Sequence, residues 1–189
     1  MTDALTRLPT VPVVQLTGAL VRPGVADSSV DLVRNAARVS GGAAHFFYAP
    51  TIVPDPATAC ALHKQPEVAR TFARFGSVTK AVVGIGLWAP GESTVYDAIE
   101  PKPRRELYRR GVRGEISGVL IDADGHPVDS DLTNRMIGIS ANQLRAIPEV
   151  IVLAYSTART SAVHAAISGG FANSVVTHPS LAKALLARQ

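Results

Sequence analysis

Short apolar, β-rich runs alternate with helical stretches along this chain, and that alternation limits the fold more than any other feature. Residues 11–16 read as a strand. Ser28 is placed to cap a helix, Val30, Val33 and Ala37 follow at helical spacing, and Gly41-Gly42 stops it. Residues 45–48 read as the next strand, and Pro50, Pro54 and Pro56 mark a loop. Residues 57–75 are helical through Leu62, Val68, Phe72 and Phe75, with a break near Pro66. Residues 81–85 form a buried strand by their continuous apolar run, and a long loop with Pro90, Gly91, Pro101 and Pro103 follows.

In the middle, residues 115–121 have strand character, Asp122-Ala123-Asp124-Gly125 is a turn signal, and Val128 starts a return strand, which makes a hairpin. Ser140 caps a short helix ending near Ile147, and residues 150–154 are another buried strand. Residues 160–167 are helical up to Gly169-Gly170, residues 174–177 are a last strand, and Pro179 opens a final helix over residues 180–187. Parallel strands need crossovers, so this order predicts an α/β fold: a Rossmann-like, mainly parallel sheet with helices on both faces and an inserted hairpin. The sequence shows no repeat or linker, and its 189 residues read as one domain with room for a core that needs neither metal nor disulfide.

Composition excludes other classes. At 47% apolar the chain is not disordered, yet no run approaches the roughly 20 apolar residues of a membrane span. Residues 1–9 lack a signal peptide, and Cys60 is the single cysteine, which together point to the cytoplasm. The net charge of +4 is partly local: Lys102, Arg104, Arg105, Arg109, Arg110 and Arg113 crowd together with Glu100, Glu106 and Glu115 among them. A solvated helix face accounts for this run, and a nucleic-acid surface is the alternative.

In open parallel sheets, ligands bind at the carboxyl ends of strands. Those ends carry Thr17-Gly18, Gly84-Ile85-Gly86, Tyr155-Ser156-Thr157 and Thr177-His178. Ser156 and Thr157 open a helix whose free N–H groups attract an anion, and Arg159 adds a fork of donors suited to phosphate; an ordinary capped helix is the alternative. Gly84-Ile85-Gly86 does not extend into a dinucleotide fingerprint and also fits a plain tight turn. Glu115 can accept hydrogen bonds from two sugar hydroxyls, or pair with Arg113 or Arg110. The five histidines lack metal-ligand spacing, so no metal or cofactor is expected, and His178 alone stands at a strand end.

Five segments in order now add up to a resemblance. Residues 110–118 resemble the GAVG(D/E)xxG motif of the SorC/DeoR-type sugar-responsive transcriptional regulators, and residues 122–128 resemble their FDxxGxPV hairpin. Residues 134–140, 147–151 and 168–173 resemble N(D)RVIGIS, IPxVIAVAGG and RGGLINxLVTD. The resemblance covers nearly the whole chain. It implies a fold similar to the glucosamine-phosphate isomerases and a non-enzymatic, oligomeric effector-binding domain for a phosphorylated sugar.

By position, Glu115 matches the acidic residue that holds sugar hydroxyls, and Arg159 stands where the family usually has Lys. Ser117 lies where the chain approaches the ligand, and Gly84 and Gly86 match the central strand-end turn. Tyr155-Ser156 replaces Gly-Gly, and His178 replaces Asp. The family's helix-turn-helix, through which DNA would be bound, its first strand and its phosphate turn are not found, so Met1 is expected to start within the following helix. The alternatives are an isomerase- or deaminase-like enzyme and a ligand-free oligomerisation module.

Overall fold

Ser28 begins its helix through a reciprocal pair of bonds. Its hydroxyl accepts from Asp31 N–H at 3.2 Å, and the Asp31 carboxylate accepts from Ser28 N–H at 3.1 Å. The helix α1 (Ser29–Ser40) ends at Gly41, whose φ of 69° is the left-handed stop that glycine supplies cheaply. The structure, a computed structural model, describes residues 6–20 and 28–188. The helix start read at Met1 therefore lies outside the described residues. The chain divides into two compact units, Met1–Ser77 with Asn134–Gly138, and Val78–Thr133 with Ile139–Gln189.

In the first unit the strand expected over residues 11–16 shortens to β1 (Val13–Val14), which pairs in parallel with β2 (Ala44–His45). Side chains hold the backbone beyond that pair. Gln15 is 3% exposed; its amide donates to Thr17 O at 2.7 Å and its oxygen accepts from Phe47 N–H at 3.2 Å. Pro66 splits the helical stretch as expected, into α2 (Pro56–His63) and α3 (Pro66–Phe72). These helices cover Phe47, Ala49, Val53, Val68 and Ile137, with Leu62 and Phe72 packed at the margin.

The second unit is built on β3 (Lys80–Leu87), the middle strand of five. Pro101 does not continue a loop: it occupies the first turn of α5 (Pro101–Arg109), after the short α4 (Thr94–Ala98). On α5, Leu107 is buried while Lys102, Arg105 and Arg109 are exposed. Antiparallel strands β4 (Gly114–Ile116) and β5 (Val119–Ile121) add to one side of β3. Their reversal is at Ser117-Gly118, with φ of 49° and 83°, which is earlier than the sequence suggests. The expected turn at residues 122–125 also forms, as the Asp122 carboxylate accepts from Asp124 and His126 N–H, but the return is a single bridge between Ile121 and Pro127.

After α6 (Ala141–Arg145), strands β6 (Glu149–Ala154) and β7 (Ser174–Thr177) extend the other side in parallel, separated by α7 (Thr160–Ser168). The helix α8 (Pro179–Leu186) closes the chain's described part. The order is β5-β4-β3-β6-β7, a mixed α/β sheet with the inserted hairpin the sequence indicated. Ala81, Val83 and Ile85 of β3 and Val150, Val152 and Ala154 of β6 form the buried stripe. Ile116, Leu120 and Ile121 are wholly buried and stabilise by about 1.5–3 kcal/mol each. Among the described residues no helix is long and apolar enough to cross a membrane.

Candidate functional site

The register places Gly86 of β3 opposite Glu115 of β4, so the two residues share one face of the sheet. Glu115 is 7% exposed, and an isolated carboxylate could not stay there. Its Oε1 accepts from Ser93 Oγ at 3.3 Å and its Oε2 from Gly118 N–H at 3.2 Å. Gly86 makes room for it: a Cβ there would stand 2.7 Å from Glu115 Oε1 and 2.7 Å from Ser93 Cβ. A glycine is therefore required by the side chain opposite, and not by a dinucleotide.

Arg159 ends the single 3-10 turn Thr157–Arg159 before α7. Ser156 caps that turn, its hydroxyl accepting from Ala158 N–H at 3.2 Å. The Arg159 Nε donates to Glu92 Oε2 at 3.0 Å and its Nη1 donates to Ile85 O at 3.2 Å. Glu92 and Ser93 are neighbours in the chain, so one dipeptide reaches both residues that the sequence singles out. Sequence reasoning missed this pair. Its one local signal is Ser93, which caps α4 by accepting from Tyr96 N–H at 3.1 Å.

Gly86, Ser93, Glu115, Gly118, Glu92 and Arg159 thus form a connected polar group at the carboxyl end of β3. Ser117 takes the left-handed position of the reversal beside it, which a residue other than glycine occupies at some cost. Thr157 is exposed at the same turn as Arg159. Gly84 lies further down β3, opposite Leu153, with open space where a Cβ would be. On that face Val82 is 51% exposed and Ile151 and Leu153 are half-buried, which extends an apolar floor from Glu115.

His178 is exposed and caps its own helix α8, with Nδ1 3.1 Å from Ser180 Oγ. Thr17 and Gly18 belong to the first unit. There Gly18 has a packing reason of its own, because a Cβ would lie 2.6 Å from the Pro50 carbonyl carbon. Among the described residues the three-residue set Asp122, Asp124 and His126 has metal-ligand proximity, and its carboxylate at 122 is already bonded to the turn's N–H groups.

Residues 1–187 match the Sugar-bind family, described as "Putative sugar-binding domain". The chain belongs to this family. The sugar-binding domain is 28% identical over 143 residues to the transcriptional regulator LsrR of Klebsiella pneumoniae, covering 74% of this chain and 44% of that protein. It is also 28% identical over 180 residues to the uncharacterized transcriptional regulator YjhU of Escherichia coli, covering 94% of this chain and 54% of that one. The chain spans about half the length of these curated relatives.

The fold of the sugar-binding domain recurs in the full-length sorbitol operon regulator SorC of Klebsiella pneumoniae, with TM-score 0.87 and 20% identity over 98% of this chain and 63% of that one. A transcriptional regulator from Streptococcus pneumoniae TIGR4 has it too, with TM-score 0.86 and 20% identity over 99% and 74%.

Proposed function

We propose that this sugar-binding domain is the effector-binding part of a transcriptional regulator, and that it holds a small phosphorylated sugar without transforming it. The observation that carries the reading is the buried Glu115 carboxylate, fixed by Ser93 and Gly118 on the sheet face that continues to the exposed Val82. An ionised carboxylate accepts from adjacent hydroxyls, and the apolar floor suits the C–H face of a sugar. Arg159, anchored at Ile85, supplies the donors for the phosphate. DNA contact belongs to another part of the regulator in this reading, which the regulators LsrR and YjhU support as relatives.

The same geometry supports binding without turnover. Isomerisation needs an acid and a base free to exchange protons near a carbonyl. Glu115 is engaged by Ser93 and Gly118, and His178 uses Nδ1 to cap α8.

A thermal-shift screen against sugar phosphates and their unphosphorylated parents tests the proposal. One phosphate should raise the melting temperature with dose, its stabilisation reaching about 2.7 kcal/mol at a hundredfold excess over Kd. Glu115→Ala and Arg159→Ala should each abolish that rise. Unchanged shifts in both variants would remove the site, and NMR-detected turnover of an aldose or ketose phosphate would replace binding with catalysis.

A further inference from the structure

The proposed anion subsite already carries an anion. Glu92 Oε2 lies 3.0 Å from Arg159 Nε, with the Glu92 side chain 32% and the Arg159 side chain 26% exposed. The Ile85 carbonyl takes a second donor of the same guanidinium at 3.2 Å. The cation is therefore oriented and largely neutralised before a ligand arrives. Glu92 is presented by a tight turn, in which its N–H donates to Ala89 O at 3.2 Å and Gly91 adopts a φ of 72°. That turn gives the carboxylate a fixed base from which it can swing away.

Charge decides what can enter. Glu92 already sets its carboxylate against the Arg159 guanidinium. A phosphate dianion approaching Arg159 meets like charge unless Glu92 gives way, and like-charge contact is a device for refusing the wrong ligand. A neutral sugar leaves the ion pair intact and gains only Glu115. Inorganic phosphate must break the pair with nothing gained at Glu115. A sugar phosphate touches both ends and can compensate for the broken pair.

We infer that Glu92 is a specificity-determining residue, a resident counter-anion of Arg159 that sets the threshold for phosphate entry and demands a ligand bearing both hydroxyls and a dianion. This rests on the reading of Arg159 as the anion subsite. The pair is only partly buried, so its exchange for a ligand phosphate is a local event.

The test uses inorganic phosphate as probe on the full chain. Affinity is measured by calorimetry and the Arg159 Nε–H resonance is followed by NMR, in wild type and Glu92→Gln. Glu92→Gln keeps size and an acceptor while removing the charge, and should bind inorganic phosphate about tenfold more tightly. The double variant Glu92→Gln/Arg159→Gln should lose that gain, and Glu92→Ala should reproduce it without the amide. Equal affinity in wild type and Glu92→Gln, with the Arg159 resonance moving in both, overturns the inference and leaves the subsite reading standing. A gain that persists without Arg159 also overturns it. An Arg159 resonance unmoved by phosphate in both proteins removes the subsite and the inference together.

Discussion

Two arginines in the second unit are each held by backbone carbonyls, and they differ in what completes the set. Arg145 donates Nε to Gly169 O at 2.8 Å and Nη2 to Gly125 O at 3.3 Å, and its guanidinium lies 4.1 Å from the centre of the Phe171 ring. Arg159 donates to one carbonyl, Ile85 O, and to the Glu92 carboxylate. The partners of Arg145 are main chain and a ring, and none can leave without moving an element. The acid on Arg159 is a side chain on a turn, which another anion can replace. A guanidinium closed by backbone works as a staple, whereas one closed by a removable side chain is available for recognition.

The staple is most sensitive at its glycines. Gly125 and Gly169 meet backbone to backbone: a Cβ on Gly125 would lie 2.6 Å from Gly169 N, and one on Gly169 would lie 2.7 Å from the Gly125 carbonyl carbon. Neither partner is the end of a flexible side chain. Gly169→Ala should therefore destabilise the chain by about 3 kcal/mol or more, measured by urea denaturation. Its folded fraction should keep the wild-type ranking of sugar ligands. A near-neutral effect would mean that the hairpin and the end of α7 do not depend on this contact, and the contrast between the arginines would lose its structural half.

The next effect is smaller and differs in kind at the two positions. Arg145→Ala removes two charge-assisted bonds and the ring contact, and should cost about 1–3 kcal/mol of stability with sugar binding unchanged. Arg159→Ala should cost within about 1 kcal/mol, because its ion pair is partly exposed. Denaturation curves and ligand titrations on both variants separate the two roles. Equal losses of stability, or loss of binding in Arg145→Ala, would break the comparison.

What the sequence made legible follows the same division between local and distant partners. The caps at Ser28 and Ser140 and the proline start at Pro179 were readable because donor and acceptor lie within a few residues, whereas Pro56 read as loop and Pro66 only as a break although each opens a helix. The reversal at Ser117-Gly118 was hidden by the stronger Asp-x-Asp-Gly signal downstream, and Ser117 carries no Asn or Gly to announce its left-handed φ. The helices α4 and α5 were obscured by prolines that read as loop, although one of them begins α5. Glu115 and Arg159 could be named as single residues. Their tethers could not, since Ser93 is 22 positions from Glu115 and Glu92 is 67 from Arg159. Gly86 was visible as a glycine, but its reason is the bulk of a side chain on the next strand.

The smallest effect concerns a group in the first unit that neither staples nor recognises. His63 ends α2 with its ring 4.9 Å from Phe72, and burial pushes its pKa below the usual 6.5. The helix end would favour the charged form, so the apolar contact outweighs it. With the folded pKa depressed, the unfolded chain protonates first as pH falls. The stability His63 contributes is therefore present above about pH 6.5 and is lost as pH drops through the folded value. Asp31 and Asp55 act separately and lower down. Bonds from Ser28 and Thr58 hold both carboxyls below their ordinary range, so their contribution disappears only in stronger acid. His63→Gln should remove the upper limb alone, flattening the dependence of stability on pH between about pH 7.5 and pH 5. Urea midpoints across that window measure it. An identical pH slope in wild type and variant would mean that Phe72 does not desolvate the ring in solution.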